Sequence, residues 1–417
     1  MTSGGPDGRP AIWVVSEMYY PEETSTGYFL TQIAEGLGRT FRVRAMCGQP
    51  THAARGIRAP YRETHNGVDV VRAPGTTLNK DVLPFRVLNM TSVSLSIFLH
   101  LVFEVKRRDV VLVVTTPPLL PFIARAAAWI RRAACVLLVH DVYPENMIAA
   151  GYLKRDSVGA RVFGWASRHL YRSVDRLIVV GRDMRELVGR RRGLTTVDDM
   201  IVIPNWATDD VLDGPPGERR TLLDELGLSD RVVLQFAGNI GPLQGIETLA
   251  GAAQIVAERA PQVHFLFIGS GGRKQWLQET VERLGLHNVT VLDHRPRSDQ
   301  RVFLAACDVA VTAFVPGMCG AGVPSRLYNI LASGKPIVAA VDADSEIGRV
   351  IREEDVGWVT PPGDVDAFVQ AVIDAAADRE RLARMAARAR AAARAKYSRE
   401  TAMKAYTAVF HTLLQEP

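Results

Sequence analysis

Three glycine-bearing turns and one His–Asp pair hold the residues of this chain whose types and spacing could do chemistry. The run VVLQFAGNIGPLQG, Val232 to Gly245, reads as a buried strand, a tight turn and the start of a helix. Gly238 and Gly241 let a ligand approach the backbone, and the helix that follows offers unpaired N–H groups to an anion. A second such turn, HFLFIGSGGRK from His264 to Lys274, carries Arg273 and Lys274 onto its helix. The third element is GAGVPSRLYNILASGKPIVAA, Gly320 to Ala340. Here Pro324 suits a first helical turn, Ser325 is placed to satisfy a free N–H, and Arg326 brings five donors suited to a diphosphate. Asn329, one turn further on, is expected to share that face and meet ribose hydroxyls. Each segment alone is also an ordinary strand-to-helix connection. In series they point to one phosphate-binding crevice.

The first half of the chain offers a complementary set. EMYYPEETSTGYFL, Glu17 to Leu30, follows the opening strand and places Thr26 and Gly27 at a helix start facing a cleft. HDVYPEN, His140 to Asn146, puts two ionisable groups at the carboxyl end of a strand, with Glu145 close behind. A lone histidine is more often structural than catalytic. His140 and Asp141 nevertheless stand where the functional groups of open α/β sheets collect, so they are expected to be functional.

These residues need a scaffold that delivers them to one place, and the hydrophobic pattern supplies it. Short β-branched runs alternate with longer segments of helical period, the pattern of parallel sheets covered by helices. The alternation runs once from Ile12 to Val180 and again from Val232 to Val359. A stretch rich in Pro, Gly and Asp lies between, giving an N-terminal domain over 1–205, a linker over 206–217 and a C-terminal domain over 218–398. A break at Tyr397-Ser398 precedes an amphipathic helix over 399–417. With 417 residues the chain exceeds what one core usually organises. The expected fold class is α/β, with two doubly wound Rossmann-like domains facing across a cleft at the carboxyl ends of their strands. The first ten residues read as a loose tail without the order of a secretory signal.

Charge and composition narrow the partners. A net charge of +5 suits an anionic partner, but the cations are dispersed, so nucleic acid is not expected. Substrate phosphates or an anionic lipid surface account for the charge. The four cysteines are scattered, which indicates no disulfide framework and fits a reducing, cytoplasmic setting. Polar residues or prolines interrupt Val87 to Phe103 and Val110 to Val139, so no transmembrane helix is expected. The first of these is nonetheless more apolar than one core-facing stripe needs, and Lys106, Arg107 and Arg108 follow it. Together with Arg125, Arg131 and Arg132 it is the candidate surface for peripheral docking on the inner face of the cell membrane. The triplets Asp342/Asp344 and Asp364/Asp366 read as helix caps rather than metal ligands, and no metal site is expected.

The motifs YYPEE, TTPPLL, DVYPENMIAAG, FAGNIGPLQG, VPSRLYNILASGKP and GWVTPPGD follow one another along the chain. Over nearly its whole length the sequence resembles family four of the GT-B glycosyltransferases. Within that family it resembles the branch of bacterial L-fucosamine and related polysaccharide or lipid-linked-oligosaccharide transferases. The resemblance implies that the C-terminal domain holds a nucleotide-diphosphate sugar, that the first domain holds the acceptor, which puts Thr26, Gly27 and Glu145 on the acceptor side, and that the last helix crosses back to the first domain. It implies a retaining, hexosyl-type transferase that needs no metal or other cofactor. Carried over, Gly238, Asn239 and Gly241 match the first diphosphate turn, Gly269 and Gly271 the second, and Ser325, Arg326 and Leu327 the phosphate-binding helix start. The loop of Arg295 lies where the family holds the nucleobase, and Glu346 matches an acidic position near ribose or sugar. Asn239 and Gln244 stand where many members carry Arg and Lys, and Ala321 and Asn329 where many carry glutamates. Arg326, Arg273 and Lys274 are therefore expected to supply the positive charge. The acceptor is expected to be a lipid-linked saccharide, another saccharide or a metabolite. The rival readings are a nucleotide-sugar epimerase or hydrolase on the same fold, and a non-catalytic scaffold partner of another transferase.

Overall fold

The computed structural model describes residues 10–50, 58–76, 78, 82–193, 200–214 and 219–415. Of the expected N-terminal tail, residues 1–9 lie outside the described residues, as do 215–217 of the expected linker.

Runs such as AIWVV and VVLVV are apolar at every position rather than at alternate ones, which only a strand covered on both faces can accommodate. They form two sheets. The first contains β1 (Ala11–Val15), β2 (Arg42–Cys47), β3 (Arg62–His65), β4 (Val68–Arg72), β5 (Val110–Val114), β6 (Ala134–Val139), β7 (Arg176–Val179) and β8 (Met200–Val202). Its order is β3-β4-β2-β1-β5-β6-β7-β8, parallel except for the β3–β4 pair. The second contains β9 (Val232–Ala237), β10 (Val263–Ile268), β11 (Val289–Leu292), β12 (Val309–Ala313), β13 (Ile337–Ala340) and β14 (Gly357–Thr360). It is fully parallel, in the order β11-β10-β9-β12-β13-β14. Strand order reverses between β1 and β5 and again between β9 and β12. A crevice opens at each reversal, and the motif-bearing loops leave the sheets there.

Right-handed crossovers put helices Leu83–Glu104, Leu120–Arg131, Val158–Ser173 and Arg182–Arg192 side by side on one face of the first sheet. Helix Ser25–Gly38 covers the other face together with the final helix, Arg399–Gln415. That final helix follows Arg379–Lys396 and inserts Tyr406 and Phe410 into the core of the first domain. The crossing back is thus built on apolar burial.

The connection between the sheets is packed over residues 206–214: Trp206 is buried edge-on against Phe29 at 4.8 Å, and the Ala207 N–H donates to the Tyr397 carbonyl at 3.0 Å. Helix Asp209–Asp213 buries Val211 and Leu212.

Candidate active site

The two sheets meet at the carboxyl ends of their strands. There the loop after β6 pairs with the second domain: Asp141 and Gly322 form an antiparallel bridge, and the Val142 N–H donates to the Ala321 carbonyl at 2.9 Å. Above this contact lies a cavity of about 340 Å³, lined among others by Thr26, His140, Asp141, Gly238, Asn239 and Arg326. Larger cavities exist, about 510 Å³ at the amino ends of the first sheet and about 630 Å³ around Tyr20 and Glu35. Chemistry rather than size selects the interdomain one, because it collects the phosphate-type turn, a cation and the His–Asp pair.

Arg326 is the electrostatic centre of that cavity. Its guanidinium lies 4.5 Å from the Phe236 ring centroid and donates to the Gln244 amide oxygen, with a longer contact of 3.4 Å to the Ala237 carbonyl. No carboxylate pairs with it among the described residues, and burial alone lowers its pKa to about 10. It stays charged at neutral pH in a place where a lone cation is costly unless an anion joins it. The turn beside it is tight: a Cβ on Gly238 would sit 3.0 Å from the guanidinium, and one on Gly269 would sit 1.9 Å from the Gly238 carbonyl oxygen. The two glycine turns therefore stack directly on each other. Gly271 and Gly241 serve the same packing against Ile240 and Asn239.

His140 and Asp141 face this cation across the cleft. The Asp141 carboxylate accepts from the Thr116 hydroxyl at 3.0 Å and the Asn146 amide at 2.8 Å; burial raises its pKa, and those two bonds oppose the rise. His140 Nε2 is shielded from solvent without a hydrogen-bond partner, and burial lowers the imidazole pKa to about 4. The ring is neutral at pH 7, with a nitrogen free for a ligand. His264 is likewise held at about 4, by burial and by Arg231.

A stability prediction follows from these two imidazoles. An unfolded chain takes up protons at both near the ordinary 6.5, whereas the folded chain resists until about 4. The melting temperature should fall as pH drops through that window, and by more in the wild type than in a His140→Gln/His264→Gln variant. Parallel pH profiles of the two proteins in differential scanning fluorimetry would contradict the buried neutral state.

Several expected site residues do other work. The Asn329 amide oxygen accepts from the Thr208 backbone N–H at 2.8 Å and from its hydroxyl, fixing the interdomain connection rather than a ribose. Glu346 is buried and receives the Arg182 backbone N–H at 2.7 Å and its guanidinium at 3.0 Å, which makes it a brace to the first domain. Arg273 pairs with Glu247 at 3.2 Å and Lys274 pairs with Asp293, so both expected helper cations are already partnered. Leu327 is a core residue and Arg295 is not among the residues lining the cavity. Glu145 turns away to Arg191 at 2.6 Å, and Gly27 is a packing glycine beneath the Glu22 carbonyl. Ser325 caps no N–H; its hydroxyl instead meets that of Ser25 at 2.7 Å across the cleft. The helix it precedes, Arg326–Ala332, has only 7 residues, so the positive charge rests on Arg326 itself. Asp364 does cap its helix, accepting from the Ala367 N–H at 2.9 Å. Sequence reading takes Gln244 only as a departure from the family pattern and gives no role to Asn146 or Thr116, neutral residues that hold the charged ones in place. Asn146 lies five residues after Asp141, and Thr116 lies just past the end of the neighbouring strand β5, which is the available signal.

Two parallel α/β sheets facing across a crevice, with a last helix crossing back, define the GT-B architecture. HepE of Anabaena, solved in complex with UDP-glucose, superposes with a TM-score of 0.73 over 96% of this chain and 99% of its own, at 16% identity. WaaG, a glycosyltransferase involved in lipopolysaccharide biosynthesis, gives 0.68 over 95% and 99%, at 14% identity. Residues 26–206 match the glycosyl transferase 4-like domain and residues 218–392 the glycosyl transferases group 1 domain. A Pseudomonas aeruginosa protein described as a probable glycosyltransferase, WbjE, is 33% identical over 87% of this chain and 88% of its own length. WcaI of Escherichia coli (strain K12), assigned to colanic acid biosynthesis as a glycosyl transferase, is 24% identical over 87% and 91%. The chain belongs to the group 1, family-four-like glycosyltransferases.

Proposed function

We propose that the protein transfers a hexosyl-type sugar from a UDP-linked donor to an acceptor hydroxyl, with retention and without a metal, in bacterial polysaccharide or lipid-linked-oligosaccharide synthesis. The observation that carries this reading is Arg326, a half-buried, desolvated cation without a carboxylate partner among the described residues, set between the Gly238 turn and the His140–Asp141 pair. As the bond from the anomeric carbon to the diphosphate oxygen breaks, the charge left on that oxygen meets a guanidinium already in place. The acceptor oxygen bonds to the same carbon, and its proton passes to the departing phosphate oxygen. Asp141, fixed by Thr116 and Asn146, and the neutral His140 orient the sugar and acceptor hydroxyls. The UDP and UDP-glucose bound by HepE support the nucleotide, and the similarity to WcaI, assigned to colanic acid biosynthesis, supports the polysaccharide setting. The L-fucosamine-type branch remains part of the proposal on its motifs. The test is a panel of nucleotide sugars, with released nucleotide measured with and without acceptor and with and without chelator. Acceptor-independent turnover would replace this reading with a hydrolase or epimerase, and activity lost to chelator and restored by manganese would overturn the metal-free mechanism.

A peripheral cytoplasmic position on the membrane belongs to the same proposal. Helix Leu83–Glu104 buries Val93, Ile97 and Leu101 but leaves Leu88, Leu95, Leu99 and Phe103 exposed, Phe103 at 80%. Its stretch Val87–Glu104 is long and apolar enough to cross a membrane, with mean hydropathy 1.5, yet its inner stripe packs on the first sheet, and only 28% of it is buried. Trp129 and Ile130 extend the apolar face, and Lys106, Arg107 and Arg108 stand exposed beyond it. Arg125 and Arg131 are partly spent on the Ser173 and Val105 carbonyls. Binding to phosphatidylglycerol vesicles, weakened by salt and by Gln at 106–108, is the expected result. Equal binding to neutral vesicles would remove the charge-guided docking.

A further inference from the structure

A second cavity, of about 410 Å³, lies behind the active site and shares a wall with it. The wall is the helix Glu145–Ala149: Asn146 looks into the active site, while Glu145, Ile148 and Ala149 line the second cavity. The second domain closes the cavity with Pro316 and Gly317, just ahead of Met318, which lines the active site. Four arginines reach this space, Arg155, Arg161, Arg168 and Arg191, against the single carboxylate of Glu145. Arg191 neutralises that carboxylate. It can reach it because Gly164 opposite has no side chain; a Cβ there would stand 3.3 Å from the Arg191 guanidinium. Arg155, Arg161 and Arg168 pair with no carboxylate among the described residues.

Arg161, Trp165 and Arg168 are spaced four and three residues apart on helix Val158–Ser173, which aligns them as one stripe along the cavity. Val158 and Val162 of the same helix are exposed at 67% and 58%, so the apolar outer face described above continues to the cavity mouth. Planar guanidinium forks set around a flat ring are suited to phosphate oxygens, and a set of unpaired ones attracts a multiply charged group.

We infer that this cavity holds the phosphate or diphosphate of the acceptor, so that the acceptor is a phosphate-linked saccharide whose sugar reaches past the Glu145–Ala149 helix to Asp141 and Arg326. The inference rests on the transferase reading above and assigns the substrate class of the same enzyme. A membrane phospholipid headgroup offers the same chemistry, so the test separates the two sources.

The full chain, saturated with UDP to fill the donor site, is titrated with geranyl diphosphate, with geraniol, and with phosphatidylglycerol vesicles. The wild type should bind geranyl diphosphate and not geraniol. Arg155→Gln/Arg161→Gln/Arg168→Gln should weaken that binding at least about tenfold while UDP affinity and melting temperature stay unchanged. Absence of binding by the wild type, equal affinity in the variant, or a loss confined to the vesicles would each overturn the assignment. Failure of the wild type to bind UDP would overturn the transferase reading instead.

Discussion

An Arg326→Ala enzyme is expected to transfer sugar about 10²–10³-fold more slowly at saturating donor and acceptor, because the developing diphosphate charge loses the desolvated counter-charge that lines the cavity. The same side chain is a burden to the unliganded fold. Desolvation lowers its pKa, and no carboxylate among the described residues offsets that cost. Arg326→Met, which keeps the contact with Phe236, should therefore match or exceed the wild-type melting temperature while transferring as poorly as the Ala variant. Arg326→Lys retains a point charge without the fork and should fall between. Wild-type kinetics in Arg326→Ala would remove the residue from the mechanism, and a large loss of stability in Arg326→Met would show that it is structural.

Gly269→Ala is the substitution expected to do most damage for the fewest atoms. The new methyl group would lie 1.9 Å from the Gly238 carbonyl oxygen, and the residue sits at φ +158. Backbone cannot swing aside as a side chain can, so the stacked turns must separate, at a cost of about 3 kcal/mol or more. Gly238 would then no longer hold its place beside Arg326, and donor binding should fail together with stability. Gly272→Ala is the control, since nothing lies within 4 Å of a Cβ there. Thermal unfolding and UDP titration of the pair decide the matter: equal behaviour would mean that the two turns yield to each other easily.

How much of this was legible beforehand depended on the kind of signal. Strands covered on both faces announce themselves as short, mostly apolar β-branched and aromatic runs, so β9, β10 and β12, each broken by one polar residue (Gln235, His264 and Thr312), were readable from Val232 onward, and with them the three turns. The β3 strand gives no such signal, because Arg62–His65 is polar and half exposed, although Asn66-Gly67 after it is a two-residue hairpin signal with both residues at positive φ. Site residues were legible where side-chain chemistry and strand end coincided, as at His140, Asp141 and Arg326. They were misread where the partner lay in the other half of the chain. Nothing near Glu346 in sequence announces Arg182, and nothing near Asn329 announces Thr208. Local spacing tells which face a residue shares, not what the opposite domain brings to it.

The return of the last helix to the first sheet has a consequence for how the protein is made. Domains of a growing chain tend to fold in the order in which they are synthesised. Here Tyr406, Val409, Phe410 and Leu413 complete the core of the domain made first. That core stays open along its Ser25–Gly38 side until the helix Arg399–Gln415 has been made. The early domain is therefore finished late, after the second domain between its two parts has had the chance to form. A chain that stops before Arg399 carries every residue of the active-site cavity and still lacks the piece that closes its first half.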